Sequence, residues 1–247
     1  MLVHFNYLKR DDFMKDKICI ITGAGGGIGS AIAEALFSCG FKLVLMGRNE
    51  EKLKKVAKGR ECLIIPGDIC NDDYIKEVID KTVQIYGGID FLINNAGVAQ
   101  SRDFAEISME EYDMIMNTNA RAPFLMCRTA LPYLEKSSCG TIINIASVTA
   151  HHGYALQSVY AASKHALLGF SKALSKEYYQ KGVRVHVISP GAVFTDMVRI
   201  SRPDLTGEGM LLPEDIAETV LYLIRMRKSA SVADEIQLHR ESKEPFM

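Results

Sequence analysis

Short, apolar, β-rich runs alternate with longer helical stretches from one end of the sequence to the other. These runs span residues 17–23, 42–47, 62–68, 89–97, 141–147 and 183–191, with a weaker one at 235–239. Most of their interior positions are apolar, as expected for parallel strands covered by helices on both faces. Strand–helix repetition predicts right-handed βαβ units and a single parallel sheet. We therefore expect an α/β fold: a doubly wound sheet of six or seven parallel strands.

The helical stretches have recognisable ends. Gly40 follows the first stretch, Ser108 and Glu111 have the spacing of a capping box, and Pro123 should kink or divide the helix that contains it. Helices are predicted at 28–39, 71–86, 108–135, 158–181 and 213–226. Residues 196–212 show no clear period, and we predict that they form a loop or a substrate lid.

The chain length and charge limit the domain count and the class of partner. At roughly 150 residues per domain, 247 residues allow one domain or two. No linker or shift in composition divides the chain, so we predict one catalytic domain over 1–247, with an N-terminal extension at 1–16. A formal net charge of −1 argues against nucleic-acid and anionic-membrane partners.

Cysteine usage and hydropathy predict a cytoplasmic protein. The six cysteines are scattered, with no C-x-x-C motif, which is typical of reduced thiols in a reducing compartment. No apolar run reaches the roughly 18 residues of a membrane span, and residues 1–16 lack the features of a signal peptide. The histidines lack the spacing of metal ligands, so no metal is expected.

A glycine-rich turn follows the first predicted strand. Residues 22–29 read T-G-A-G-G-G-I-G and lead directly into a predicted helix. Such a junction lets the backbone approach a pyrophosphate and directs the N–H groups of the helix N-terminus at the anion. A flexible turn without a ligand is the alternative, although the position between strand and helix favours a dinucleotide.

The end of the second predicted strand bears on the choice of dinucleotide. An acidic residue there would bind the ribose 2′-hydroxyl of NAD, whereas this sequence has Gly47 and then Arg48. A guanidinium can pair with a 2′-phosphate, so NADP is favoured and NAD stays possible. A solvated surface arginine is the alternative. Asp68, at the end of the third strand, could accept a hydrogen bond from adenine or serve only as a turn former.

Tyr160 and Lys164 are four residues apart in a stretch with helical periodicity, which places both side chains on one helix face. A lysine ammonium beside a phenol favours the phenolate and lowers the phenol pKa, so that tyrosine becomes a usable acid or base. Ser147 ends the fifth strand and should face the same cleft as the glycine turn, although a serine there could also simply cap the end of the strand. Asn119 is predicted in mid-helix, where a buried amide needs hydrogen-bond partners.

These motifs, in this order, resemble the short-chain dehydrogenase/reductase family in its single-domain branch of about 250 residues. The resemblance covers residues 17 to about 226. Its motifs are T-G-x-x-x-G-x-G at 22–29, N-N-A-G at 94–97, Asn119, Ser147, Tyr160-x-x-x-Lys164 and P-G at 190–191 followed by Thr195.

The resemblance implies a Rossmann-type sheet and hydride transfer between a nicotinamide and a carbonyl or secondary alcohol. Tyr160 would exchange the proton, Ser147 would polarise the carbonyl oxygen, and Lys164 would bind the nicotinamide ribose. Asn119 would hold a water that relays protons from Lys164. The implied cofactor-binding residues are Gly23, Gly25, Gly27, Ile28, Gly29, Arg48, Asp68, Ile69, Asn95, Ala96, Gly97, Tyr160, Lys164, Pro190, Gly191, Val193 and Thr195.

The family implies a small-molecule carbonyl or alcohol substrate and a homodimer or homotetramer with its interface on helices 108–135 and 158–181. Members with this pattern are most often 3-oxoacyl thioester reductases. Gly25 and Gly26 stand where NADP-preferring members often carry serine and a basic residue, so only Arg48 argues for NADP. A non-catalytic sensor or scaffold on the same fold is the alternative function.

Overall fold

Seven parallel strands form one sheet in the computed structural model, which describes residues 13–99, 101–201 and 207–241. The strands are β1 (Ile18–Ile21), β2 (Lys42–Gly47), β3 (Leu63–Pro66), β4 (Phe91–Asn94), β5 (Thr141–Ile145), β6 (Arg184–Pro190) and β7 (Glu235–Leu238). Their order is β3-β2-β1-β4-β5-β6-β7, and every adjacent pair is parallel. All seven predicted strands are confirmed, together with the doubly wound Rossmann-type class.

Eight α-helices connect and cover the strands in the described part of the chain. They are α1 (Gly27–Ser38), α2 (Glu50–Ala57), α3 (Asp72–Tyr86), α4 (Met109–Met116), α5 (Ala122–Leu134), α6 (Ser158–Tyr178), α7 (Asp196–Ser201) and α8 (Pro213–Arg225). Among the described residues, no helix is both long and apolar enough to cross a membrane.

The central strands β1, β4 and β5 are buried on both faces because successive side chains enter two different cores. In β1, Cys19 and Ile21 pack with Ile32 of α1 and Val220 of α8. Ile20, between them, belongs to the opposite core, which α3 and α5 cover. This arrangement explains why the strands read as unbroken apolar runs in the sequence.

The predicted division of helix 108–135 is confirmed at Pro123. Helices α4 and α5 are separated by a π-helical turn over Asn117–Arg121, in which the Ala122 N–H bonds to the Asn117 carbonyl. Pro123 has no N–H to offer the carbonyl four residues earlier, so the regular hydrogen-bond ladder cannot continue there. Ser108 caps α4 as predicted, because its hydroxyl accepts the Glu111 N–H at 3.2 Å.

Two elements differ from the sequence prediction. Helix α2 (Glu50–Ala57) was not predicted, because eight residues give too short a stretch for a clear period. The irregular loop predicted over 196–212 is wrong at its beginning, where Asp196–Ser201 forms α7. Residues 202–206 of that segment, and residues 1–12 of the predicted N-terminal extension, lie outside the described residues.

Candidate active site

A cleft of about 380 Å³ opens at the carboxyl ends of β1, β4, β5 and β6. The sheet order reverses between β1 and β4, and ligands of doubly wound sheets bind at such a switch point. The volume lies within the range of ordinary ligand pockets. Predicted site residues on its walls are Gly23, Gly25, Gly27, Ile28, Arg48, Asn95, Ala96, Gly97, Ser147, Tyr160, Lys164, Pro190, Gly191, Val193 and Thr195.

The glycine turn forms a floor of bare backbone. A Cβ on Gly23 would lie 2.9 Å from the Ala96 Cα, and Gly23 also has a φ of +66°, so a side chain is excluded there. Helix α1 begins at Gly27 without a side-chain cap or an acidic residue in its first turn. Its first N–H groups are therefore available to an anion in the cleft, an arrangement that fits the pyrophosphate of a dinucleotide.

Thr22 and Asn95 hold the glycine turn against the end of β4. The Thr22 hydroxyl accepts the backbone N–H groups of Asn95 and Ala96, each at 3.0 Å. In return, the Asn95 amide donates to the carbonyls of Thr22 and Gly23 at 3.0 and 3.1 Å. The role of Thr22 was not predicted, although its place in the T-G-x-x-x-G-x-G motif was a signal.

Ser147, Tyr160 and Lys164 meet on the opposite wall of the cleft. Ser147 ends β5 and begins a 3₁₀ turn, while Tyr160 and Lys164 lie in the first two turns of α6. The side chains of Ser147 and Tyr160 share a hydrogen bond. The Lys164 Nζ lies 5.7 Å from the centre of the Tyr160 ring and donates to the Ile145 carbonyl at 2.9 Å. The structure therefore brings together the serine, tyrosine and lysine predicted from the sequence.

The expected lowering of the Tyr160 pKa is wrong. Burial raises the pKa of Tyr160 above its ordinary value, and the hydrogen bond from Ser147 only opposes this effect. Lys164 is only 4% exposed, and burial lowers its own pKa to about 8. Desolvation disfavours the charged form of both groups, and the Lys164 ammonium is directed at a backbone carbonyl rather than at the phenol.

Asn119 lies in the π-helical turn between α4 and α5 and is fully buried. Its amide donates to the Val98 carbonyl and to the Ser163 hydroxyl at 2.9 and 3.0 Å, and its oxygen accepts the Val98 N–H at 2.8 Å. The side chain thus ties helix α6 to the loop after β4. Asn119 does not line the cleft itself, and its predicted water relay stays a prediction.

Two cations lie at the end of the cleft beyond β2. Arg48 follows β2 directly, and Lys52 lies in the first turn of α2. Both line the cleft, and a Cβ on Gly25 would lie 3.3 Å from the Lys52 Cβ. Lys52 was not predicted from the sequence, because helix α2, which brings this side chain over the glycine turn, was not predicted either.

Three predicted cofactor contacts lie outside the cleft wall: Gly29, Asp68 and Ile69. The Asp68 carboxylate accepts the Cys70 N–H at 2.9 Å, so this residue forms the turn that the sequence allowed as its alternative role. Gly29 acts through packing, since a Cβ there would lie 2.2 Å from the Gly23 carbonyl oxygen. Contact of Asp68 or Ile69 with adenine stays a prediction.

The fold and the cleft together place the protein in a class of oxidoreductases, which bind a nicotinamide dinucleotide at the switch point of a doubly wound sheet. The sequence model of the short chain dehydrogenases matches residues 17–206. An uncharacterised oxidoreductase of Staphylococcus aureus strain USA300 is 36% identical over 222 residues, which cover 89% of this chain and 95% of that protein. The chain belongs to the short-chain dehydrogenase/reductase family.

Solved structures agree with this assignment. Aldohexose dehydrogenase of Thermoplasma acidophilum superposes with a TM-score of 0.84 at 26% identity, covering 95% of this chain and 98% of that one. Levodione reductase superposes with a TM-score of 0.82 at 28% identity, covering 90% of this chain and 96% of the other. The protein is therefore an oxidoreductase of this family that uses a nicotinamide dinucleotide.

Proposed function

We propose that the protein is an NADP-preferring reductase of a ketone or 3-oxoacyl-type carbonyl, which also oxidises the corresponding secondary alcohol. One observation carries the proposal: the hydrogen-bonded Ser147–Tyr160 pair lies with Lys164 on the wall of the dinucleotide cleft. The two neighbours named after their reactions, an aldohexose dehydrogenase and a levodione reductase, fit this chemistry. The six scattered cysteines, which lack a C-x-x-C motif, support a cytoplasmic location.

The proton steps follow from the side chains of the cleft. When bound, the dinucleotide supplies the hydride to the carbonyl carbon. The raised pKa of Tyr160 keeps its hydroxyl protonated at neutral pH, which is the form that can donate a proton to the carbonyl oxygen. Ser147 hydrogen-bonds that oxygen and stabilises the negative charge that develops on it. Lys164 provides a buried ammonium beside the phenol and binds the nicotinamide ribose.

The preference for NADP rests on charge at the far end of the cleft. Arg48 and Lys52 are both exposed, and neither makes an ion pair among the described residues. Two unpaired cations at the cleft wall suit a 2′-phosphate, whereas no carboxylate among the described residues lines that end of the cleft to bind a ribose hydroxyl. Lys52 thus supplies the positive charge that Gly25 and Gly26 lack.

The first test is a panel of ketones, 3-oxoacyl thioesters and secondary alcohols, assayed with NADPH, NADH and their oxidised forms. We expect turnover with NADPH, and a loss of at least about 100-fold in kcat in a Tyr160→Phe variant that still binds the dinucleotide. Full activity in that variant would contradict the assigned proton donor. Dinucleotide binding without any turnover would point instead to a sensor or scaffold.

Cofactor preference is tested by comparing NADPH and NADH affinities in Arg48→Gln, Lys52→Gln and the double variant. Each single change should weaken NADPH binding by about tenfold, because one charge-assisted hydrogen bond is lost, and should leave NADH binding nearly unchanged. Lys55→Gln, an exposed lysine of the same helix outside the cleft, is the matched control. Near-equal NADPH and NADH affinities in the unmodified protein would refute the preference.

We also propose a homo-oligomer, dimer or tetramer, with an interface on α4, α5 and α6. The described surface of α4 and α5 exposes Met109, Met114 and Phe124, and Phe124 packs edge-on against Phe170 of α6 with ring centres 5.7 Å apart. Neighbouring exposed apolar side chains of this size favour association with a second copy.

A further inference from the structure

The carboxylate of Glu235 joins three separate segments beside the active site. Its Oε1 is 2.5 Å from the Nε2 of His151 and accepts the Ser189 hydroxyl at 2.8 Å. Its Oε2 is 3.8 Å from the Nζ of Lys172. Glu235 and His151 are both half-buried, so water competes only weakly for the contact between them.

Each of these segments carries part of the site. His151 follows the 3₁₀ turn Val148–Ala150, which begins directly after Ser147. Ser189 immediately precedes the Pro190–Gly191 turn on the cleft wall. Lys172 lies on α6, two turns beyond Lys164. Glu235 itself begins β7, which is otherwise remote from the proposed chemistry.

Ser147 is held on both sides along the chain. On the amino side, the Ala146 N–H donates to the Ile188 carbonyl at 2.8 Å, so this side is fixed by the sheet. On the carboxyl side, the Ser147 hydroxyl accepts the Thr149 N–H at 3.2 Å, and the turn closes with the His151 N–H on the Val148 carbonyl at 3.0 Å. These bonds are local to the turn. The ring of His151 attaches the turn to β7 through Glu235.

We propose that His151 and Glu235 are positioning residues for Ser147: their contact fixes the turn after β5 and so holds the Ser147 hydroxyl where the substrate oxygen must lie. The kinetic part of this proposal rests on the proposed function. A polar group displaced by about 1 Å can lose on the order of 100-fold in rate, so the loss of a remote anchor has a measurable effect.

The kinetic experiment compares His151→Phe with His151→Gln, and Glu235→Ala with Glu235→Gln. Phe keeps the ring volume without an N–H donor, and Ala removes the acceptor; both should lower kcat by about 10- to 100-fold. Gln keeps a donor at position 151 and an acceptor at position 235, and should retain most of the activity. Exposed groups elsewhere give the controls His239→Ala and Glu218→Gln, which should behave like the unmodified protein.

Cofactor affinity separates a positioning role from a merely structural one. The glycine turn and Arg48 are remote from His151 in the sheet, so the NADPH dissociation constant should stay within about twofold in both His151 variants. Unchanged kcat in His151→Phe would overturn the proposal. So would a parallel loss of kcat and NADPH affinity, because it indicates general disruption of the fold. If Glu235→Ala does not fold, the His151 pair decides the question alone.

Hydrogen exchange tests the anchor independently of activity. In the ligand-free protein, backbone amides of residues 148–157 should exchange at least about tenfold faster in His151→Phe and Glu235→Ala, with no change over 22–29. If these amides exchange at the same rate as in the unmodified protein, the contact does not fix the turn and the proposal is wrong, even if activity falls. If no carbonyl substrate is turned over at all, the proposed function fails, while this measurement still decides whether His151 and Glu235 fix the turn.

Discussion

At the scale of single residues, Lys164 stands out because its ammonium is buried in the folded protein. Burial lowers its pKa from the ordinary 10.5 to about 8, so it is charged at neutral pH at a cost to folding. A shift of this size corresponds to about 3 kcal/mol, at 1.36 kcal/mol per pKa unit. The chain thus carries a destabilising charge at the place where the proposed chemistry uses it.

This charge predicts how stability changes with pH. Below about pH 8, Lys164 is protonated in both the folded and the unfolded protein, and the cost of burying its charge lowers the stability of the fold in full. Between about pH 8 and 10.5, the folded protein loses this proton while the unfolded protein keeps it. The free energy of unfolding therefore rises with pH in this window. The free energy of unfolding should therefore rise by about 2–3 kcal/mol more between pH 7 and 10 in the unmodified protein than in Lys164→Met. Urea unfolding of ligand-free protein measures this difference, and parallel pH profiles would contradict it.

Single residues were predicted from the sequence where a motif fixed their spacing. Ser147, Tyr160 and Lys164 meet as expected because a strand end and one helix face determine their places. The Tyr160 pKa was not predictable in this way, since burial and the direction of the Lys164 ammonium depend on the packed structure. The contact between His151 and Glu235 joins residues 84 positions apart, so no local sequence pattern could have predicted it.

At the scale of elements, the junction of β1 and α1 depends on the absence of side chains. A Cβ on Gly29 would meet the Gly23 carbonyl oxygen at 2.2 Å and the Asn95 amide nitrogen at 2.6 Å, so strand and helix would have to separate. We expect Gly29→Ala to lower the free energy of unfolding by at least about 2 kcal/mol, as overpacking does. Denaturant unfolding measures this loss.

Gly26→Ala is the matched control for that junction. A Cβ there meets nothing within 4 Å, and the φ of 175° is extended backbone that alanine adopts freely. The free energy of unfolding of the Gly26→Ala variant should differ from that of the unmodified protein by less than about 0.5 kcal/mol. Equal losses in the two variants would show that the glycines matter for turn flexibility and not for the close approach of α1.

Element boundaries were predictable where composition was distinctive. The parallel strands were clear because burial on both faces leaves unbroken apolar runs. Helix α2 was missed because it is short and rich in charge, and α7 because its six residues have no room for a period. The break at Pro123 was predicted, but its form as a π-helical turn was not, since this depends on how Asn119 packs against Val98.

At the scale of the whole molecule, the proposed self-association can be tested on α5. Phe124 is 52% exposed, and Phe124→Glu would place a charge in the proposed interface. Light scattering should find a dimer or tetramer for the unmodified protein and a smaller species for the variant, because an unpaired charge in an apolar interface is costly. Tyr222→Glu, at an exposed aromatic residue of α8, is the control and should not change the mass. A monomeric unmodified protein would refute the interface.

The walls of the cleft come from residues as far apart in the chain as Gly23 and Val198. The glycine turn follows β1, and Tyr160 lies in the helix that follows β5. The strand β4 lies between β1 and β5 in the sheet, so these two parts of the cleft come together only when β4 has paired with both neighbours. During synthesis, the glycine turn leaves the ribosome long before Tyr160 and the Pro190–Gly191 turn, so the cleft of the emerging chain stays incomplete until β6 has followed. We expect a chain truncated before β6 to lack ligand-derived protection from proteolysis, because part of its dinucleotide cleft is missing.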